Sequence, residues 1–167
     1  PIPLLISIEP FEAIPPYDST RMIYTTSLFT INSYSYHEWM TLPAEMATFL
    51  LARDMRSADI VQAVMVDDDR MATHRILGRV ESFCEQDVDE GWHALLSISI
   101  TLVKLHEDDI TKRLCLQKTY TLTEPCLEKN PKGLAMAMSV AMSKMSQEMI
   151  RDIYDILSKY EARFLEP

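Results

Sequence analysis

The sequence predicts an α+β fold: a mostly antiparallel β-sheet with two α-helices packed on one face, built as one domain over residues 1–167. Three observations carry this. First, Ala94, Leu96, Ile98, Ile100 and Leu102 fall on one face of a central strand, and Ser97, Ser99 and Thr101 fall on the other; such alternation marks a strand with one covered and one wet face. Second, Leu134, Met138, Ala141, Met145, Met149, Ile153, Ile156 and Tyr160 recur at helical spacing, opposite Ser139, Ser143, Lys144, Gln147, Arg151, Asp155 and Lys159. Third, the N-terminal third strings short apolar runs around one proline-started helix. Strands collected in runs with few helices fold as α+β rather than as alternating α/β units.

The elements follow in order. Leu4 to Ile8 reads as the first strand, stopped at Glu9-Pro10. A proline-stiffened crossover leads from Phe11 to about Asp18. Arg21 to Tyr24 and Thr30 to Trp39 form the next two strands, with Thr25-Thr26-Ser27 as the turn. The first helix runs from Pro43 to Arg56, with Thr41 as its cap, Pro43 in its first turn and Glu45 at its positive end. Ile60 to Val66 is a short strand closed by Asp67-Asp68-Asp69. Next comes a β-meander of His74 to Glu85, Trp92 to Leu105 and Arg113 to Thr123, turning at Asp87–Gly91 and at Glu107-Asp108-Asp109. Asn130 caps the long last helix and Pro131 occupies its first position.

Composition narrows the function. At 167 residues the chain buries roughly 70% of its unfolded surface. Acids outnumber bases by 25 to 16, for a formal charge of −9. Nucleic-acid binders usually present a basic face, so nucleic acid is not an expected partner. Three glycines leave little material for a phosphate-cradling loop. No apolar run approaches the ~20 residues that span a bilayer as a helix. The chain opens on Pro1 rather than methionine, which predicts a preceding leader carrying any export signal or lipid-attachment cysteine.

Candidate chemical groups are dispersed. Cys84, Cys115 and Cys126 lack the paired spacing of a metal site and read as small hydrophobes; an oxidising compartment would allow one disulfide and one leftover thiol. His37, His74, His93 and His106 are scattered, the last two bracketing one strand and ~40 Å apart at the usual rise. Three acid-rich loops, 67–69, 87–90 and 107–109, lack the spaced acids and glycine of a calcium loop and read as exposed turns. No nucleophile elbow, zinc-binding helix or Walker loop occurs. These readings predict no metal, no cofactor and no catalytic group. Eleven methionines, five of them in the last helix (Met136, Met138, Met142, Met145 and Met149), suit either core packing or a deformable apolar cleft.

The candidate site is the strand-to-helix corner Tyr34-Ser-Tyr-His-Glu-Trp39 followed by Pro43-Ala-Glu-Met46. Alternation puts Tyr34, Tyr36 and Glu38 on one side, and Ser35, His37 and Trp39 on the other. Large rings with polar tips serve equally as core anchors or as the lip of a groove. Tyr34, Tyr36, Trp39, Pro43 and Met46 form the candidate contact surface for a peptide, a lipid or a partner strand.

The order of landmarks resembles one family: Tyr17-Asp18, Arg21-Met-Ile-Tyr24, the Y-x-Y-x-x-W-x-x-x-P-A run from Tyr34 to Ala44, Leu77-Gly78-Arg-Val80 with Phe83, and a small-residue, methionine-crowded last helix. Together these resemble the ABC-type transport auxiliary lipoproteins, the group that includes paraquat-inducible protein C, over nearly the whole chain. Thr41-Leu42 departs from the second proline that many relatives carry before the helix. The resemblance implies the same α+β fold and a periplasmic protein tethered by N-terminal lipid to the outer membrane. It further implies a non-enzymatic role in lipid transport. The implied partners are an ABC permease, its ATPase and an MCE-type (mammalian-cell-entry) substrate-binding subunit. The competing expectation is a soluble lipid carrier whose own cleft holds the acyl chain. An exposed sheet edge leaves a homo-oligomer open.

Overall fold

The computed structural model describes residues 1–27, 30–88 and 91–162. Its elements are β1 (Ile2–Ile8), β2 (Glu12–Ala13), β3 (Arg21–Ser27), β4 (Thr30–Glu38), α1 (Pro43–Ala58), β5 (Val61–Val66), β6 (His74–Val88), β7 (Gly91–Lys104), α2 (Ile110–Arg113), β8 (Leu114–Pro125) and α3 (Pro131–Ala162). The α+β class stands, with one short helix beyond the two expected.

β6 organises the sheet. Along one flank it pairs antiparallel with β7, which pairs antiparallel with β8, giving the expected meander. Its other flank is divided among three parallel partners: β1 beside residues 74–76, β2 beside 79–80, and β3 beside 84–86. β5 extends β1 in parallel, and β4 closes the far side antiparallel to β3. The sheet is thus mixed, antiparallel along its longest ladders and parallel where the N-terminal strands cross over to reach β6.

Both long helices cover one face. α1 lies over β5 and β6, α3 lies over β7 and β8, and the two helices touch each other. The period-two set Ala94, Leu96, Ile98, Ile100 and Leu102 is fully buried beneath them. So is the α3 stripe of Leu134, Met138, Ala141, Met145, Met149 and Ile153, widened by Ala137, Met142 and Leu157. A stripe broader than the narrow coiled-coil seam is what a helix needs to bury itself on a sheet. Polar ties register the helix: Asp152 accepts from Lys118 Nζ and Tyr120 Oη, each at 2.7 Å, and Ser146 donates to Asp54 of α1. Asn130 accepts at Oδ1 from Gly133 N at 2.8 Å, the expected cap of α3. Tyr160 lies outside the described side chains.

Several local expectations change. Thr25-Thr26-Ser27 continues β3 rather than turning, because Thr25 and Ser27 pair with β4; β-branched residues favour the pleated surface. Thr41 does not cap α1: Leu42 holds that position without a side-chain bond, and the Thr41 hydroxyl donates to Glu45 instead. Pro43 does start the helix. Ser97, expected in solvent, is buried between Ser82 and Thr121 in the ladders and hydrogen-bonds Thr121 at 2.9 Å. Residues 89 and 90 of the expected turn before β7 lie outside the described residues.

Candidate functional site

The β3–β4 hairpin and the start of α1 form the corner that holds the candidate residues. β4 pairs with β3 from Thr30 to Ser33 and again at Glu38, where β3 has moved back only from Ile23 to Arg21. The residues between, Tyr34 to His37, therefore arch out of the ladder. An arch of this kind breaks simple alternation, as bulges do. Tyr34 and Tyr36, expected on one face, part company: Tyr34 turns inward and is half-buried, whereas Tyr36 is 94% exposed.

The inward members build core. Trp39 is only 9% exposed, fixed by its backbone N donating to Thr20 O at 2.7 Å. Pro43 is buried at the head of α1, and Met46 packs half-buried against the same cluster. The outward members are Tyr36 and Met40, with Ile31 on β4 and Phe49 on α1 also exposed. The five candidates are therefore neighbours in the fold but do not share one surface. Tyr36 alone stands free, Tyr34 and Met46 are intermediate, and Trp39 and Pro43 are buried.

Glu85 is the residue sequence reasoning missed. It is 1% exposed on β6, and its carboxylate accepts a hydrogen bond from Tyr34 Oη at 2.7 Å. Tyr24, its neighbour on β3, packs its ring 5.0 Å from that of Tyr34, whose other side meets His37 edge-on at 6.0 Å. Burial pushes the Glu85 carboxyl above the ordinary carboxylate range; the Tyr34 bond opposes this and the Asp87 charge adds to it. Burial likewise raises the Tyr34 phenol, helped by the same carboxylate.

The remaining groups stay apart. Four of the loop acids pair with local bases: Asp68 with Arg70, Asp69 with Arg75, Glu107 with Lys104, and Asp109 with Lys112. Asp109 Oδ1 also accepts from Thr111 N at 3.0 Å and so caps α2. Among the described residues no group of three or more His, Cys, Asp or Glu is placed to hold a metal ion. Cys84, Cys115 and Cys126 form no disulfide, Cys84 being buried and the others half-buried. No helix of the described residues is long and apolar enough to cross a membrane.

Four of the five α3 methionines belong to the core. The fifth, Met136, lines an open apolar groove of about 410 Å³ between the end of β8 and the first turns of α3, with Pro125, Leu127, Ala137 and Val140.

Comparison with known proteins follows the same lines. The family model described as ABC-type transport auxiliary lipoprotein component matches residues 2–150. Protein XCC0632 from Xanthomonas campestris superposes with a TM-score of 0.83 at 14% identity, over 97% of this chain and 90% of that one. The hypothetical protein CT253 from Chlamydia trachomatis gives 0.61 at 7% identity, over 93% and 98%. PelC from Paraburkholderia phytofirmans, a dodecamer, gives 0.51 at 14% identity, over 86% and 83%. At these identities the likeness establishes the fold. None of the curated proteins is a significant match.

Proposed function

This chain belongs to the family of ABC-type transport auxiliary lipoprotein components, and on that premise we propose that it is a non-enzymatic docking component of an ABC/MCE-type lipid transport system. In this reading it sits in the periplasm, held to the outer membrane by N-terminal lipid. It engages the MCE-domain substrate-binding subunit, and through it the permease and ATPase of the same system.

One observation carries the reading: Tyr36 stands in solvent on an arch of the edge strand β4, between Tyr34, which bonds Glu85, and Trp39, which packs on Phe83. A rigid exposed aromatic is the side chain that most often anchors a protein interface, because it brings large contact area at small entropic cost. The backbone edge of β4 beside it offers hydrogen bonds to an added strand. Self-association belongs to the same proposal, since β4 and β8 each have one strand partner among the described residues.

Biolayer interferometry against the MCE-domain subunit tests it. Tyr36→Ala weakens capture by at least about tenfold with the melting temperature unchanged, the behaviour of an interface anchor. Capture at the wild-type level by that variant removes this surface from consideration.

The groove around Met136 favours a second reading, in which the protein itself carries an acyl chain. Stoichiometric phospholipid in organic extracts of the purified protein, read by mass spectrometry, supports the carrier. Lipid-free protein supports docking.

A further inference from the structure

The hairpin that presents Tyr36 rests on two unlike supports. At its base Trp39 packs on Phe83, both apolar. Further along, the hairpin joins the sheet, among the described residues, where Ile23, Tyr24 and Thr25 pair with Cys84, Glu85 and Gln86. In the middle of that short ladder sits Glu85, and Tyr34, the first residue of the arch, is hydrogen-bonded to it.

A carboxylate this deep is unusual unless paired, because ionisation in an apolar site forfeits hydration. Nothing cationic compensates Glu85: among the described residues it forms no ion pair. The titratable groups around it are Tyr24 on β3, Tyr34 on β4 with His37 at its edge, Cys84 and Asp87 on its own strand and the Cys126 thiol beyond β8. From β7 it faces Ala94. Tyr34 gives one hydrogen bond and Asp87 repels.

We propose that Glu85 is a proton-operated latch: uncharged, it keeps the β3–β4 hairpin seated on β6, and ionised, it drives the arch outward so that water reaches the carboxylate. The physical asymmetry is simple. The neutral acid is content between Tyr24, Tyr34 and Ala94, whereas the anion gains hydration only if Tyr34 lifts away. Among the described residues β4 has no other strand partner to resist that movement. Because Tyr36 lies two residues beyond Tyr34, the latch sets how the proposed docking residue is presented. The regulatory part of the inference rests on the docking reading; the latch itself does not.

Amide hydrogen exchange read by mass spectrometry tests it without any partner. Peptides covering 21–27 and 30–38 are followed between about pH 5 and about pH 9, a span that brackets an upshifted carboxyl, with times corrected for intrinsic exchange. The wild type loses hairpin protection several-fold as pH rises, while α3 peptides keep theirs. Glu85→Gln, of equal size and unable to ionise, holds the acid-form protection throughout. Tyr34→Phe keeps the ring and removes the donor that favours the anion, so its midpoint moves to higher pH. Hairpin protection independent of pH in the wild type overturns the latch. So does a Glu85→Gln profile that follows the wild type, or a Tyr34→Phe midpoint that stays in place. These outcomes are separate from the Tyr36→Ala binding result, so either idea can fail alone.

Discussion

The indole of Trp39 meets the ring of Phe83 edge-on, with centroids 5.1 Å apart and planes 82° apart. That contact ties the residue leaving the β3–β4 hairpin to the central strand. It also separates two aromatics that the sequence presents together: Trp39 is a core residue and Tyr36 a surface one.

The two tryptophan and tyrosine truncations should therefore diverge. Trp39→Ala opens a cavity beside Phe83 and costs about 3–5 kcal/mol in urea unfolding. Tyr36→Ala, with nothing packed over it, stays within about 0.5 kcal/mol of wild type. Trp39→Phe separates packing from polarity: the Trp39 Nε1 is buried without a hydrogen-bond partner among the described residues, so the smaller ring loses contact area and no hydrogen bond. A loss for Trp39→Ala no greater than that for Tyr36→Ala would return Trp39 to the list of surface residues.

Gly78 owes its place to Phe11. A Cβ at Gly78 would collide with the Phe11 ring, which is itself buried and pinned where Phe11 N donates to Thr48 of α1 at 2.9 Å. The ring fills the space a side chain would take. Gly78→Ala is accordingly destabilising by about 1–3 kcal/mol, the usual cost of overpacking. Combined with Phe11→Leu, the alanine costs less than it does alone, because the colliding atoms are gone. Additive losses in that double-mutant cycle would place the strain elsewhere.

What the sequence disclosed and withheld follows from where periodicity survives. The β7 face and the α3 stripe keep an unbroken period, so their elements and buried sides were readable. Glu85 was not. The β6 register shifts between Val80 and Ser82, so the buried side passes from Ile76 and Val80 to Phe83 and Glu85, and the acid looks like an outward residue. The arch at Tyr34–His37 hides Tyr36 in the same way, since the extra residues leave no trace in composition. Long-range parallel pairing was equally silent: no local feature states that β1, β2 and β3 share one flank of β6. The aromatic corner was legible as a strand-to-helix junction, but which ring faces water depended on that unseen arch.

His74 gives the fold an acid limit. It is buried on β6, and its ring Nδ1 lies 3.0 Å from the Thr73 hydroxyl. Burial, aided by the nearby Lys104 charge, holds its pKa down to about 4 from an ordinary 6.5. A base whose folded value is depressed contributes stability above its unfolded value and loses it as pH falls, because the unfolded chain takes up the proton first. The loss therefore runs from about pH 6.5 down to about 4 and amounts to at most about 3 kcal/mol. His74→Gln, which cannot titrate, flattens this part of the stability-against-pH curve even if it lowers the plateau near neutrality. Chemical denaturation at several acid pH values measures both curves. An acid limb of equal slope in the variant would assign the loss to other groups.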